Sequence, residues 1–313
     1  MQNIVSTPSS FGDASTKPVE LLRARGFNLI LNPLRRKLSE TEVTELLKAH
    51  RPVGLLAGLE PLTRGVIADS SGYLKVISRV GVGIDNVDLQ AASEFGVSVF
   101  KSADVVSAAV AEFTIGLMLS LLRGIPRFDQ ELHAGRWSKQ LGRTLNGKTV
   151  ALLGCGSIGR LVASMLRPFG VRIVASDPAL DAAWAKSLSV ESITDLQQLA
   201  AMADLLSIHL PLNSRTKGLV SRELLGRMKR GAYLINTSRG GIVDEEALCD
   251  LLKSGHLAGA AIDVFSEEPY KGALCELPNV VLTPHAATYT LETREALELS
   301  AVENLLNGLG IPA

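Results

Sequence analysis

Short, wholly apolar runs alternate with stretches of helical spacing along most of the chain. Residues 149–153 (TVALL) are apolar apart from the first; a glycine turn follows, and then apolar positions recur at helical spacing over 158–169. Residues 172–176 form a second apolar run. The same rhythm continues with helical 195–202 before 205–209, 223–228 before 232–236, and 245–254 before 259–264. A last apolar run, 280–283, leads into Pro284. Strands without polar alternation are covered on both faces, and their alternation with helices predicts a parallel, doubly wound sheet.

The first third of the chain alternates too. Residues 27–31, 54–57, 75–78 and 97–99 read as strands. Ser39-Glu40-Thr41-Glu42 has the form of a capping box, which predicts a helix from there to Ala49. Residues up to about 100 therefore form a smaller α/β unit. A long helical region from 108 to about 135 would join it to the second unit, and a final helix over 291–306 would return to the first. The apolar segment 108–122 contains Glu112 and is too short to span a bilayer, so it reads as a buried helix.

Composition narrows the function classes. With 313 residues there is material for two domains, and with 32 basic against 32 acidic residues the formal charge is zero, so no global field favours nucleic acid or an anionic membrane. The N-terminal ten residues lack the basic and apolar regions of a secretory signal. Cys155, Cys249 and Cys275 are odd in number and widely spaced, which argues against a disulfide framework or a zinc site and fits a reducing, cytoplasmic setting. No metal site is expected.

The glycine turn carries the first specific signal. Gly154-Cys155-Gly156-Ser157-Ile158-Gly159 has the G-x-G-x-x-G spacing, with an apolar strand before it and a helix after it; Asp177 stands 18 residues beyond Gly159 at the end of the next strand. In such a turn Gly154 permits the bend, Gly156 lets a pyrophosphate approach the backbone, and Gly159 lets helix and strand pack closely. The helix start offers N–H groups and partial positive charge to the phosphates. Asp177 can accept hydrogen bonds from ribose hydroxyls, and Pro178-Ala179-Leu180 supplies no cation for a 2′-phosphate, so NAD is expected over NADP. Cys155 reads as a small residue of the turn.

Three further segments follow predicted strands, where open α/β sheets place their ligands. Asn236-Thr237-Ser238-Arg239-Gly240-Gly241 offers a guanidinium, which matches a carboxylate bidentately. Thr283-Pro284-His285-Ala286-Ala287 offers an imidazole, the side chain suited to proton transfer near neutrality. Asp263-Val264-Phe265-Ser266-Glu267-Glu268-Pro269 offers carboxylates that could fix the tautomer of such a histidine. Together they suit hydride transfer at an alcohol carbon beside a carboxylate.

With these segments in hand, the chain resembles the D-isomer-specific 2-hydroxyacid dehydrogenases, near their phosphoglycerate dehydrogenase branch. The resemblance extends over nearly the whole chain. It includes Arg79-Val80-Gly81-Val82-Gly83-Ile84-Asp85-Asn86-Val87-Asp88, Leu145-Asn146-Gly147-Lys148-Thr149 and His209-Leu210-Pro211-Leu212 besides the three segments above. It implies two Rossmann-like lobes with doubly wound parallel sheets and the active-site cleft between them. A substrate domain would comprise 1–101 and 288–313, and an NAD-binding domain 102–287, including a dimerisation helix.

The resemblance also implies residue roles. Arg239, Glu268 and His285 would be the catalytic set, with Arg239 on the substrate carboxylate and His285 as acid/base. The segment Arg79, Val80 and Gly81 would hold that carboxylate as well. Gly154, Gly156, Ser157, Ile158, Gly159, Asp177, His209, Pro211, Thr216, Thr237 and Asp263 would line the NAD. Asp263 could instead cap its strand, and His209 could support the cofactor region without touching it. Trp137 could be core, a dimer contact, or a residue reaching a neighbouring active site. His50 and His256 read as solvated surface residues.

The chain departs from phosphoglycerate-oxidising relatives at two places. The loop Gly58-Leu59-Glu60-Pro61 has no cation until Arg64, and valine stands at position 106 within Asp104-Val105-Val106-Ser107. An additional C-terminal regulatory domain is not expected. The substrate implied is a small 2-hydroxy or 2-keto acid, phosphoglycerate fitting less well than hydroxypyruvate or glyoxylate; the expected assembly is a homodimer without nucleic-acid or membrane partners. The competing reading is an NAD-sensing protein that kept the fold without turnover.

Overall fold

The computed structural model describes residues 1–102 and 105–312, so Asp104 lies outside the described residues. The chain divides into two compact units, Met1–Val106 with Thr288–Ala313, and Ser107–Ala287. The division after residue 106 falls five positions later than the expected one after 101.

The first unit contains one parallel sheet built from β1 (Gln2–Ser6), β2 (Phe27–Leu31), β3 (Gly54–Ala57), β4 (Val76–Arg79) and β5 (Ser98–Lys101), in the order β2-β1-β3-β4-β5. Helices Glu40–His50, Arg64–Ser70 and Leu89–Glu94 supply the apolar side chains that cover one face, Val43, Leu47, Val66, Ile67 and Ala91 among them. The Ser39 capping box is present, with Ser39 accepting from Glu42 and Glu42 reaching back to the Ser39 N–H. The C-terminal helix Leu291–Gly308 packs on β3, β4 and β5. It buries Leu297, Ala301, Val302, Leu305 and Leu306, and each such aliphatic contributes on the order of 1.5–3 kcal/mol.

Strand β1 pairs with β2 on one side and β3 on the other. It is the inner strand that the sequence reading passed over, because only Ile4 and Val5 of its five residues are apolar and buried. Strands β4 and β5 each start one residue later than expected.

The second unit has a seven-stranded parallel sheet. Its strands are β6 (Thr149–Leu153), β7 (Arg172–Ser176), β8 (Val190–Ser192), β9 (Leu205–Ile208), β10 (Ala232–Asn236), β11 (Leu257–Ile262) and β12 (Val280–Leu282). They run in the order β12-β11-β10-β9-β6-β7-β8. The strand order reverses between β6 and β9, the switch point at which doubly wound sheets bind dinucleotides. One face is covered by helices Leu196–Met202, Arg222–Arg227 and Glu245–Lys253, the other by Ser107–Arg123, Ser157–Leu166 and Ala182–Ser187.

The long helical region is two helices rather than one. Ser107–Arg123 and Ile125–His133 meet at 62°. Gly124 adopts φ 63, and Pro126 stands in the first turn of the second helix, where its missing N–H does no harm. No single helix among the described residues is long and apolar enough to cross a membrane.

Candidate functional site

The glycine turn sits at the carboxyl end of β6. Gly154 has φ +99, and a Cβ there would collide with the His209 carbonyl; a Cβ on Gly159 would collide with the Gly154 carbonyl. Both positions therefore require glycine, as the fingerprint demands. Gly156 is different: a Cβ there meets nothing within 4 Å. It is the N-cap of helix Ser157–Leu166 and has no side chain to satisfy the first N–H groups, so these remain available to an anion. Cys155 is buried, and burial pushes its thiol up to about 12, so it plays no nucleophilic part.

Asp177, just past β7, is turned toward this glycine loop. Its two oxygens accept from the Cys155 N–H (2.7 Å) and the Ala179 N–H (2.7 Å). A carboxylate fixed beside the turn retains lone pairs for ribose hydroxyls. An open position at Gly156, donors at a helix start and an anchored carboxylate together fit the phosphates and ribose of a dinucleotide.

His209 follows β9, its Nε2 2.9 Å from Ser207 Oγ. Burial lowers its pKa to about 4, so the ring is neutral at physiological pH. The unfolded chain takes up a proton near pH 6.5 that the folded one refuses. Stability contributed by this group is therefore complete above that pH and is lost as pH falls toward 4. We expect His209→Asn to flatten the decline in melting temperature between pH 6.5 and pH 4, measured by differential scanning fluorimetry against the unmutated protein. Beyond His209, the Thr216 hydroxyl donates to the Pro211 carbonyl (2.6 Å) and closes that loop.

The segment after β10 is held from both sides. Thr237 Oγ1 lies 2.8 Å from Thr114 Oγ1 of helix Ser107–Arg123. Asn236 Oδ1 accepts from the Ser238 N–H (3.1 Å) while its Nδ2 donates to the Arg239 carbonyl (3.1 Å). Arg239 Nη1 donates to the Ser238 carbonyl at 2.7 Å. Gly240 packs directly on the Phe265 backbone, leaving no room for a side chain.

Glu268 and His285 form a pair. His285 Nδ1 lies 3.2 Å from Glu268 Oε1 and 3.1 Å from Oε2. Both side chains are about one-quarter exposed. A carboxylate only accepts, so Nδ1 carries the proton and Nε2 is the atom left to exchange one. The Phe265 N–H donates to Glu268 Oε1 (3.1 Å) and orients the carboxylate.

His285 has φ 55, a left-handed conformation uncommon for a residue with a Cβ. Beside it stands Asp263, fully buried at the end of β11. Its carboxylate accepts from Thr283 Oγ1 (2.5 Å), the Ala286 N–H (2.8 Å) and the Ala287 N–H (3.0 Å), and its carbonyl accepts from the His285 N–H (2.8 Å).

The structure thus gathers Arg239, Asp263, Glu268 and His285 onto neighbouring strand ends of one sheet. Val80 and Gly81 belong to the other unit, after β4. There the Arg79 guanidinium is buried and donates to the Val80 carbonyl, beneath the turn. Thr114 was not foreseen as a supporting residue; it stands 123 positions from Thr237, and nothing in its local sequence marks it. Trp137 is 82% exposed, which removes the core reading. His256 is half-buried with Nε2 out of solvent, so it is not the solvated residue expected.

A dinucleotide-binding α/β unit with an acid–base pair at its strand ends is the class that fold and site define. Residues 115–287 match the D-isomer specific 2-hydroxyacid dehydrogenase, NAD binding domain. The chain is 39% identical to the hydroxypyruvate reductase of Thermotoga maritima over 251 residues, 78% of this chain and 81% of that one. It is 38% identical to the D-3-phosphoglycerate dehydrogenase of Methanocaldococcus jannaschii over 86% of this chain and 51% of that one; it spans about half the length of such relatives. The crystal structure of the TT0316 protein from Thermus thermophilus superposes with a TM-score of 0.88 at 35% identity, covering 99% of this chain and 98% of that one. The chain belongs to the D-isomer-specific 2-hydroxyacid dehydrogenase family and contains its NAD-binding domain.

Proposed function

We propose that the protein is an NAD-dependent dehydrogenase that moves a hydride between NAD(H) and C2 of a small D-2-hydroxy or 2-keto acid. The observation that carries this reading is the His285–Glu268 pair, at 3.1 Å, with its second imidazole nitrogen left for substrate. A protein that only sensed NAD would have no use for it. The bound cofactor supplies or accepts the hydride. Helix Ser157–Leu166 offers its first N–H groups, at Ser157, Ile158 and Gly159, to the phosphates, and Asp177 holds the ribose. His209, Pro211, Thr216, Thr237 and Asp263 border the same strand ends.

In oxidation, Nε2 of His285 takes the hydroxyl proton and Glu268 stabilises the resulting imidazolium; in reduction the protonated ring returns it. Arg239 holds the substrate carboxylate and polarises the C2 oxygen. Of the two units, we assign Met1–Val106 with Thr288–Ala313 as the substrate domain and Ser107–Ala287 as the NAD-binding domain.

A screen of NADH oxidation across short 2-keto acids tests the proposal. Turnover of at least one is expected; binding of NADH with no turnover of any would refute it. The cofactor assignment has its own check. Asp177→Asn keeps an acceptor for the Cys155 N–H and removes the charge, so the preference for NAD over NADP should narrow by about tenfold. Equal use of both cofactors by the unmutated enzyme would contradict the role given to Asp177.

The assembly is a homodimer through the long helical region. The support is a set of exposed apolar side chains on the second helix and just beyond it: Ile125 at 53%, Leu132 at 55%, Trp137 at 82% and Leu141 at 104% of full exposure. Sedimentation equilibrium should give twice the chain mass, and Leu132→Glu should shift it toward one. The free cysteines fit a reducing cytoplasm.

A further inference from the structure

The amino end of the second unit's sheet, opposite the glycine turn, gathers charge of one sign. A pocket of about 110 Å³ lies there, lined by Arg143, Lys148, Asp204, Lys229, Arg230 and Tyr233 among others. Its cations outnumber its single carboxylate four to one. The chain as a whole is neutral, so this is a local concentration and not a general excess. A fifth cation adjoins it. A Cβ on Gly142 would stand 3.5 Å from Arg123 Nε and 3.0 Å from the Leu122 carbonyl, which places the Arg123 side chain against the residue before Arg143.

The floor of the pocket is where β6, β9 and β10 begin. The Asp204 N–H donates to the Thr149 carbonyl (2.9 Å) and the Tyr233 N–H to the Asp204 carbonyl (3.0 Å), so the three strand starts are laced together. The turn Lys229-Arg230-Gly231 is fixed by the Gly231 N–H on the His256 carbonyl (2.7 Å) and the Ala232 N–H on the Lys229 carbonyl (3.0 Å). The Asp204 carboxylate is already committed. Its Oδ2 accepts from the Thr149 N–H (2.8 Å) and its Oδ1 from Lys229 Nζ (3.1 Å). Burial works against its charge, but the Thr149 N–H, Lys229 and Lys148 together hold its pKa below the ordinary carboxylate value. Asp204 thus neutralises Lys229. Among the described residues no carboxylate pairs with Arg143, Lys148 or Arg230.

Cations that converge on one concavity repel each other, and a cleft lined by one sign of charge concentrates counter-ions. Ammonium and guanidinium groups are the donors that suit phosphate oxygens. We propose that this pocket binds a phosphate group, as the free ion or as the end of a small phosphate ester, through Arg143, Lys148 and Arg230. Its volume of about 110 Å³ equals that of about three or four water molecules, room for the heavy atoms of one phosphate. The site is separate from that of the dinucleotide. Strand β6 leads from Thr149 at the pocket to the turn at Gly154, a length of roughly 16 Å. A phosphate bound here leaves the cofactor end of the sheet free, so the inference stands apart from the dehydrogenase reading.

The test follows the backbone amide signals of Lys148, Asp204, Arg230 and Gly231 by NMR while inorganic phosphate is added at constant ionic strength. Saturating NADH is present throughout, to occupy the helix start at Gly156, the other place suited to phosphate. Saturable shifts at the pocket are expected, with a dissociation constant on the order of 1 mM. The double variant Lys148→Gln with Arg230→Gln leaves the Asp204–Lys229 pair in place and should weaken phosphate at least about tenfold, the scale of two charge-assisted contacts. Amide signals unchanged away from the pocket verify that this variant is folded. Methyl phosphate separates the two sources. Binding as tight as that of inorganic phosphate points to the end of an ester, weaker binding to the free ion, and either supports the site. Shifts that fail to saturate by about 50 mM phosphate, or the same affinity in the folded double variant, overturn the proposal. So do saturable shifts confined to the glycine turn.

Discussion

A His285→Ala variant will reduce 2-keto acids about 10² to 10⁴ times more slowly than the unmutated enzyme, the range for loss of a positioned general acid or base, and will bind NADH almost as well. The reason is local. His285 Nδ1 is committed to Glu268 at 3.1 Å, which leaves Nε2 for the proposed proton transfer, and removing the ring removes that atom. The proposed dinucleotide determinants are elsewhere, at Gly154, Gly156, Gly159 and Asp177. Stopped-flow measurement of NADH oxidation, alongside fluorescence titration of NADH binding, separates the two effects. Glu268→Gln should be milder than His285→Ala, because an amide can still meet Nδ1 but cannot stabilise an imidazolium. Turnover unchanged in His285→Ala would take this residue out of the chemistry.

The second large effect is expected at Asp263. In an Asp263→Ala variant, the Thr283 hydroxyl and the N–H groups of Ala286 and Ala287 lose the acceptor they now share. Each buried donor left without a partner costs about 1–3 kcal/mol, so a loss of at least about 3 kcal/mol is expected from the three. For a unit of this size that lowers the melting temperature by roughly 10 °C. Turnover should fall as well, because only backbone hydrogen bonds, from the His285 N–H to the Asp263 and Thr283 carbonyls, then hold His285 at φ 55. Asp263→Asn, which preserves one acceptor oxygen, should fall between. Calorimetry and kcat measured on the same preparations check this; a variant with wild-type melting temperature and kcat would show that the carboxylate does not shape the turn.

Much of the second unit was legible in the sequence because its strands are apolar throughout and its turns are marked by glycine. The fingerprint at 154–159 has one meaning in its context, and the collisions a Cβ would cause at Gly154 and Gly159 are the physical form of that signal. The first unit was harder. Strand β1 has only two buried apolar side chains, and its place between β2 and β3 is a tertiary fact with no periodicity of its own. The break at Gly124 was hidden by continuous helical spacing on either side. At the site, residue types named the chemistry, but the supports did not announce themselves. Thr114 meets Thr237 through folding, and the turn that Asp263 imposes on His285 is visible only once β11 and β12 lie side by side.

The central claim is that hydride passes to C2 of a 2-keto acid, with the protein supplying the proton. NADH deuterated at the transferable C4 position reports this directly. Incubated with the enzyme and the best substrate of the screen, it should yield a 2-hydroxy acid with one deuterium at C2, seen by NMR as the loss of the C2 proton signal, or as its halving where the substrate is glyoxylate. A product without deuterium at C2, or NADH consumed without a 2-hydroxy acid appearing, would contradict the account.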